Sequence, residues 1–224
     1  MSHPRPHTTV ILAMTIDGKI ADKTGSAARF SSASDLTHLE TQLSQTDGVI
    51  FGASTLRAYG TSLSIRQEEL LQWRQQQGKP PQPVQIVYSA SGNLDPGARF
   101  FRQPFPRWLL TTQEGSHLWE SEKHSGFDRI IISADSEAQN LSHLYDCGLK
   151  RLAIIGGGKL IASLLAEDLI DELWLTLCPW ILGGVTAPTP VGGEGFLADT
   201  AKRFQLLSSQ ILGEEVFLHY RCVR

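Results

Sequence analysis

The stretch Leu152-Ala153-Ile154-Ile155-Gly156-Gly157-Gly158-Lys159-Leu160 has the pattern of a short buried strand that turns through three glycines into a helix. An earlier stretch, Gly48-Val49-Ile50-Phe51-Gly52-Ala53-Ser54-Thr55, repeats this order of apolar run, glycine and helix. Turns of this kind expose backbone N–H groups at the positive end of a helix, where phosphate can bind. Two of them in one chain predict a long ligand that carries phosphate, and a dinucleotide is the natural candidate.

The triglycine turn departs from the common nucleotide-binding signatures. The pattern G-x-G-x-x-G would need a glycine where Ile161 stands, and a P-loop would need Ser or Thr where Leu160 stands. One interpretation is therefore a tight structural turn. The other is that the three glycines, with Lys159 and Leu160 after them, let a pyrophosphate approach the backbone.

The earlier turn has two interpretations as well. Ser54 or Thr55 could cap the helix that follows, because hydroxyl side chains satisfy free N–H groups at a helix start. Alternatively, Gly52, Ser54 and Thr55 form a second phosphate contact beside the triglycine turn.

Apolar runs and helical periodicity alternate along most of the chain. Strands are predicted over 9–13, 48–51, 84–88, 107–110, 129–132, 152–155, 172–178, 204–207 and 216–221, and helices over 34–44, 68–77, 137–147 and 160–166. Short β-rich runs separated by helices indicate parallel βαβ units. The last three strands lack helices between them and predict an antiparallel edge. The fold class is α/β, with residues 1–8 a mobile N-terminal tail and 9–224 one domain.

Composition excludes several classes of protein. The 224 residues are 41% hydrophobic with a formal net charge of −3, which allows a sizeable core and gives no basic surface for nucleic acid. No apolar run approaches the ~20 residues that span a bilayer, so no membrane association is expected. Three widely spaced cysteines form no zinc pattern, and no metal site is predicted. We expect a cytoplasmic protein.

Several segments together resemble the pyrimidine reductases of bacterial riboflavin biosynthesis, the C-terminal domains of a bifunctional deaminase–reductase. The segments are T-I-D-G-K-I-A (15–21), S-S-A-S-D-L-T-H-L (31–39), D-G-V-I-F-G-A-S-T-L (47–56), L-S-I-R (63–66), L-I-D-E-L (169–173) and P-W-I-L-G-G (179–184). Their order and spacing cover most of the chain. The resemblance implies a single domain of dihydrofolate-reductase-like fold, with a mixed, mostly parallel central sheet flanked by helices.

The chain also departs from that family. Tyr59-Gly60-Thr61-Ser62 stands where the family typically has an acidic D-x-P segment, and Ile155-Gly156-Gly157 stands where it has E-G-G. The Ile-Gly-Gly turn is instead similar to that of dihydrofolate reductases. No zinc signature of a deaminase is present, so only the reductase half is expected.

The resemblance implies NADPH as the cofactor and a phosphorylated heterocycle as the substrate. The two glycine turns would then hold the pyrophosphate, and Ser89 or Ser91 would meet the adenosine 2′-phosphate, unless they only form a solvated turn. Thr15 would contact the cofactor from the loop that covers the nicotinamide. Asp17 on that loop is a candidate catalytic acid, although Asp-Gly is also a turn sequence.

Three residues are candidates for binding the substrate: Lys19, Ser32 and Arg66. Arg66 is the best phosphate ligand of the three because its planar guanidinium suits bidentate anion binding; a surface arginine is the alternative. Asp35 is the second candidate catalytic acid. It has two interpretations that are compatible with each other: it caps its helix, and it binds an N–C–N edge of the substrate or supports proton delivery. Glu194 is a weaker further acid.

Three functions remain open from the sequence. The first is an NADPH-dependent reductase of the riboflavin type, acting on a substrate like 5-amino-6-(5-phosphoribosylamino)uracil. The second is a reductase of dihydrofolate or a pterin, centred on Asp35. The third is a non-catalytic dinucleotide-binding protein, which would not need Asp17, Lys19 and Arg66. The resemblance also implies a homodimer formed through the late strands.

Overall fold

The fold is built on one nine-stranded sheet. A computed structural model of the chain describes residues 4–27, 30–120 and 126–224. The strands are ordered β5-β4-β3-β2-β6-β1-β7-β9-β8 across the sheet. Their bounds are His7–Thr15 (β1), Gly48–Gly52 (β2), Val84–Tyr88 (β3), Arg107–Thr111 (β4), Arg129–Ile132 (β5), Arg151–Ile154 (β6), Glu172–Cys178 (β7), Arg203–Leu212 (β8) and Glu215–Val223 (β9).

The sheet is mixed, as the sequence predicts. Strands β1 to β7 pair in parallel, whereas β9 pairs antiparallel with both β7 and β8. The antiparallel part follows from connectivity, because a tight turn at Gly213 joins β8 to β9 without a crossover helix. This confirms the α/β class and the mostly parallel sheet.

Among the described residues, the helices that flank the sheet are Ala33–Ser44 (α1), Ala53–Tyr59 (α2), Glu68–Gln76 (α3), Gln113–Ser116 (α4), Glu137–Asp146 (α5) and Gly158–Ala166 (α6). The four helices predicted by periodicity are α1, α3, α5 and α6, with ends shifted by one or two residues. The short helix α4 and a 3₁₀ turn over Arg99–Arg102 have no periodic apolar pattern and were not predicted.

The core has two layers, one on each face of the sheet. Successive residues of β2 show the division: Val49 and Phe51 belong to the layer that includes Leu43 of α1, and Ile50 belongs to the layer that includes Leu164 of α6. Side chains of a strand alternate between faces, so a strand covered on both faces is apolar throughout. This explains the unbroken apolar runs in the sequence.

Part of the segment predicted as a mobile tail, residues 1–8, belongs to the folded domain. Strand β1 begins at His7, and Arg5 forms a bidentate ion pair with Asp171, both N···O distances being 2.8 Å. Arg224 contacts the same carboxylate at 2.7 Å. Both ends of the chain are thereby fixed beside β7, while residues 1–3 of the predicted tail lie outside the described residues.

Within the described ranges, every helix is too short or too polar to cross a lipid bilayer.

Candidate active site

A cavity of about 480 Å³ opens at the carboxyl ends of the central parallel strands. Its walls include residues of β1 and β2 and the glycine turn after β6. In the sheet, β6 lies between β1 and β2, and the chain order reverses there. Ligands of open α/β sheets bind in such crevices outside the carboxyl ends of the strands, and the volume is within the range of small-molecule sites.

The two glycine turns meet at this cavity. Gly52 N–H donates to the Gly156 carbonyl at 3.4 Å, and Gly156, Gly157 and Gly158 all line the cavity. Gly157 has φ +92°, a conformation that favours glycine. A Cβ at Gly156 would lie 2.9 Å from Thr55 Oγ1, so the turn has no room for side chains. Such a cradle suits a group that must touch backbone, as a pyrophosphate does.

The helices that follow the turns start without a side-chain cap. The N-cap residues are Gly157 for α6 and Gly52 for α2, and neither supplies a capping side chain. The interpretation of Ser54 or Thr55 as caps is therefore wrong. Both hydroxyl residues line the cavity instead. The first N–H groups of α6 remain available to a ligand anion.

The other residues predicted to hold the cofactor lie away from the cavity wall. Lys159 is exposed in the first turn of α6, whereas Leu160 is buried in the core. Ser89 is buried at the end of β3, and Ser91 accepts a hydrogen bond from the Asn93 N–H in an exposed turn. None of these four lines the cavity as the described residues define it.

Two arginines give the cavity a positive side. Arg66 and Arg99 both line it, and neither forms an ion pair with any carboxylate among the residues the structure describes. Buried Glu40 of α1 accepts hydrogen bonds from the backbone N–H groups of Arg66 at 3.0 Å and Gln67 at 3.2 Å. Glu40 thus fixes the backbone of the Arg66 loop and leaves the guanidinium free for an anion.

Asp35 is the only carboxylate among the described residues of the cavity wall. Its exposed fraction is 7%. Burial raises the pKa of Asp35, and the charge of Glu215 raises it further, against hydrogen bonds from Thr176 and Ser31. Asp35 does not cap its helix: the N-cap of α1 is Ser32, whose hydroxyl accepts from the N–H groups of Ser34 and Asp35. The capping interpretation of Asp35 is wrong.

Glu215 was missed by the sequence analysis. It starts β9, is 3% exposed, and accepts hydrogen bonds from Ser32 N at 2.9 Å and Ser32 Oγ at 2.5 Å. Cys178 Sγ lies 3.6 Å from the same carboxylate, and burial together with this charge raises the pKa of the thiol to about 12. No motif could have joined residues 183 positions apart. The Ser32 hydroxyl predicted to bind substrate is already engaged in this contact.

The loop of Thr15, Asp17 and Lys19 lies at the rim and not in the wall. Thr15 Oγ1 donates to Asp17 Oδ1 at 2.6 Å, and Gly183 N–H donates to Asp17 Oδ2 at 2.6 Å. These bonds lower the pKa of Asp17, with the Thr15 hydroxyl as the largest cause. Lys19 Nζ donates to the Ala187 carbonyl at 3.4 Å. Asp17 and Lys19 therefore connect the rim loop to the segment after β7.

The two positions at which the family's acids are replaced do face the cavity. Tyr59, at the end of α2, and Ile155, after β6, both belong to its wall. The weaker candidate Glu194 is exposed and lies outside it. The acidic chemistry of this cavity therefore depends on Asp35.

Comparisons with known proteins agree with this architecture. Residues 6–218 match the family model described as the RibD C-terminal domain. The 2,5-diamino-6-ribosylamino-4(3H)-pyrimidinone 5′-phosphate reductase of Archaeoglobus fulgidus is 30% identical over 200 residues, covering 86% of this chain and 89% of the relative.

Two solved structures show the same fold. The pyrimidine reductase-like protein of Corynebacterium diphtheriae has a TM-score of 0.82 at 20% identity, covering 98% of this chain and 92% of its own. The diaminohydroxyphosphoribosylaminopyrimidine deaminase/5-amino-6-(5-phosphoribosylamino)uracil reductase of Thermotoga maritima has a TM-score of 0.77 at 20% identity, covering 98% of this chain and 57% of its own. The fold expected from the resemblance is confirmed, and the chain belongs to the RibD C-terminal domain family, whose named members are reductases of riboflavin biosynthesis.

Proposed function

We propose that this reductase uses NADPH to reduce a ribosylamino-pyrimidine 5′-phosphate of the 5-amino-6-(5-phosphoribosylamino)uracil type. The observation that carries the proposal is one cavity that joins the two glycine turns to Arg66 and Arg99. A cradle for a pyrophosphate and a cationic side for a second phosphate in one space suit a dinucleotide beside a phosphorylated substrate.

The cofactor would lie along the turns. NADPH supplies the hydride when it is bound. Gly156, Gly157 and Gly158 would hold its pyrophosphate at the start of α6, with Ser54 and Thr55 donating from α2. Gly52 contributes by keeping the second turn close to the first. A nicotinamide cofactor follows from membership of a reductase family, and the choice of NADPH rests on the sequence resemblance.

The substrate phosphate would meet Arg66, and Arg99 would add a second positive charge. Bidentate bonds between guanidinium and phosphate are short and strong. Lys19 and Ser32 are weaker substrate ligands than the sequence predicts, because both side chains are already engaged. The Lys19 ammonium donates to the Ala187 carbonyl, and the Ser32 hydroxyl donates to Glu215. Either would have to exchange that contact for the substrate.

The reaction adds two electrons and two hydrogens to one double bond. The substrate carbon of a C=N or C=O group accepts the hydride, and the nitrogen or oxygen takes a proton, which leaves NADP⁺ as the second product. Of the two proposed catalytic acids, Asp35 has the stronger support because it lines the cavity. Asp17 would act through position, since its carboxylate holds the rim loop.

Two further expectations belong to the proposal. Strand β8 exposes the apolar side chains of Leu206, Leu207 and Ile211, which supports a homodimer through the late strands. All three cysteines are free thiols, which fits a reducing compartment such as the cytoplasm.

Replacement of Arg66 tests the proposal. NADPH absorbance would be followed with the ribosylamino-pyrimidine phosphate and, in parallel, with dihydrofolate. We expect turnover of the pyrimidine only, and we expect Arg66→Ala to raise its KM roughly 10- to 100-fold with NADPH affinity unchanged. Arg102→Ala is the control, because Arg102 is exposed outside the cavity and bonds the Gly97 carbonyl. Turnover of dihydrofolate alone, or an unchanged KM, would contradict the proposal.

A further inference from the structure

The loop between α2 and α3 reaches Arg66 without a helix or a strand of its own. Residues 61–63 of this loop line the cavity together with Arg66. Side chains from elsewhere in the fold hold its backbone. Glu40 accepts from the Arg66 N–H, while Gln82 accepts from the Ile65 N–H at 2.9 Å and donates to the Ile65 carbonyl at 2.8 Å. The loop therefore keeps one course although it lacks a regular hydrogen-bond ladder.

Gln103 holds the first half of the same loop. Its Oε1 accepts from the Thr61 hydroxyl and from the Ser62 N–H at 3.0 Å. Its Nε2 donates to the Ser62 carbonyl at 2.8 Å and to Ser64 Oγ at 3.4 Å. Gln103 is 9% exposed, so these bonds are shielded from solvent. Both ends of one buried amide are thus bound to the cavity loop.

Gln103 also ends the 3₁₀ turn that carries Arg99. It is the C-cap of the turn Arg99–Arg102, and its N–H donates to the Phe100 carbonyl at 3.3 Å. Phe100 is fully buried, and its N–H donates to the Gly60 carbonyl at 2.9 Å, at the start of the loop. The segment of Arg99 and the loop of Arg66 are therefore joined by a backbone bond and by the Gln103 side chain.

The two arginines match one phosphate in charge and in donors. Arg66 and Arg99 line the cavity, and neither has a carboxylate partner in the part of the chain that the structure describes. A phosphate monoester carries nearly two negative charges at neutral pH and presents three acceptor oxygens. Each guanidinium can donate two parallel hydrogen bonds to such a group. Both can bind it at once only if their separation is fixed.

We propose that Gln103 is a positioning residue that sets the separation of Arg66 and Arg99, so that the two arginines bind the substrate phosphate as a pair. The assignment rests on the proposed function and deepens it. Gln103 is not among the described residues of the cavity wall, so it acts through the two segments that it joins. Its loss would weaken phosphate binding and leave the chemical step unchanged.

The test combines variants of Gln103 and Arg99. Kinetics would be measured with the ribosylamino-pyrimidine 5′-phosphate and with the same compound lacking its phosphate. We expect Gln103→Met, an apolar side chain of similar length, to raise KM for the phosphorylated compound roughly tenfold at unchanged kcat. Arg99→Ala should do the same, and neither should change kcat/KM for the compound without phosphate. The double variant should raise KM by much less than the product of the single factors, because either change alone breaks the pair.

Asn140→Leu is the matched control. Asn140 is a buried amide of α5 that accepts from the Ala134 N–H at 2.7 Å. Helix α5 packs on the other core layer from Ile65 of the loop. Both replacements remove a buried amide from a backbone N–H, so both should lower Tm. Only Gln103→Met should raise KM.

The outcomes separate the two levels. An equal loss on both compounds in Gln103→Met, or single factors that multiply in the double variant, would overturn the paired arginines and leave the proposed function intact. Reduction of neither compound by wild type would overturn the proposed function. The Kd of ribose 5-phosphate, measured by calorimetry, would then still test the pair: a Kd raised in both single variants supports it, and an unchanged Kd overturns it. If Gln103→Met does not fold, Gln103→Asn withdraws the amide by one methylene, and the same results are expected.

Discussion

Replacement of Gly157 by alanine should weaken cofactor binding beyond its effect on stability. Gly157 has φ +92° and lines the cavity. An alanine there costs about 1–2 kcal/mol of unfolding free energy because of the backbone conformation. For a chain of this size, that cost lowers Tm by roughly 2–8 °C.

The added methyl group has a second effect, which is local to the site. Its Cβ would lie 3.3 Å from Gly52 N and 3.4 Å from Gly52 Cα, tighter than ordinary contact. The two turns must then move apart by a few tenths of an ångström. Loss of one hydrogen bond from the turns to a charged phosphate costs about 1.5–3 kcal/mol, and this corresponds to a Kd for NADPH raised by roughly 10- to 100-fold.

Gly148→Ala is the matched control. Gly148 follows α5 with φ +95°, and its Cβ would meet nothing within 4 Å. Both variants share the conformational cost, so both should lose Tm, and Gly157→Ala should lose somewhat more because of its contact with Gly52. Only Gly157→Ala should lose NADPH affinity, measured by fluorescence titration or calorimetry. If the two variants bound NADPH equally well, the assignment of the triglycine turn to the pyrophosphate would be refuted.

Two further variants test groups that act at a distance from the cavity. Glu40→Gln should raise KM for the phosphorylated substrate about fivefold. The neutral amide oxygen of Gln would accept the hydrogen bond from the Arg66 N–H about 1 kcal/mol more weakly than the carboxylate does. Glu69→Gln, in the first turn of α3, should leave KM unchanged, and an equal effect of both variants would contradict the positioning role. Asp171→Asn should lower the free energy of unfolding by about 1–3 kcal/mol at neutral pH. Burial alone would raise the pKa of Asp171, but the bonds from two arginines and a backbone N–H outweigh it and lower that pKa. This stabilisation is therefore complete above the unfolded pKa of about 4 and is lost as pH falls toward the folded value, so urea titrations of wild type and variant should converge in acid. A difference that stayed constant with pH would exclude the ion pairs as its source.

Local sequence patterns were sufficient for most of the fold. The apolar runs predicted every strand of the sheet, and the central ones were clear because strands buried on both faces need continuous apolar residues. Strand β8 is exposed along most of its length, and its predicted range of 204–207 covers only part of Arg203–Leu212. The glycines of the two turns were identifiable for a similar reason, since few other residues can follow a strand so closely and still start a helix. Helix α4 was missed because it is one turn long and has no apolar period.

The cavity wall was predicted less well than the fold. Arg66, Asp35, Ser54 and Thr55 were expected at the site, and all four line the cavity. Leu160 was expected there and belongs to the buried core on one face of the sheet. A pattern along the chain does not show which side of a helix faces a cavity until the helix is packed.

The sequence by itself determined the α/β class, the parallel βαβ character of the early part of the chain, the antiparallel edge and the pair of glycine turns. These depend on residues close together in the chain, through periodicity and backbone conformation. Only the tertiary structure decided that Ser32 caps α1, that Glu215 bonds to it from β9, and that Asp35 is left as the single described acid of the cavity wall. Those roles depend on contacts between residues far apart in sequence, and their energies come from burial and charge, which no local pattern encodes.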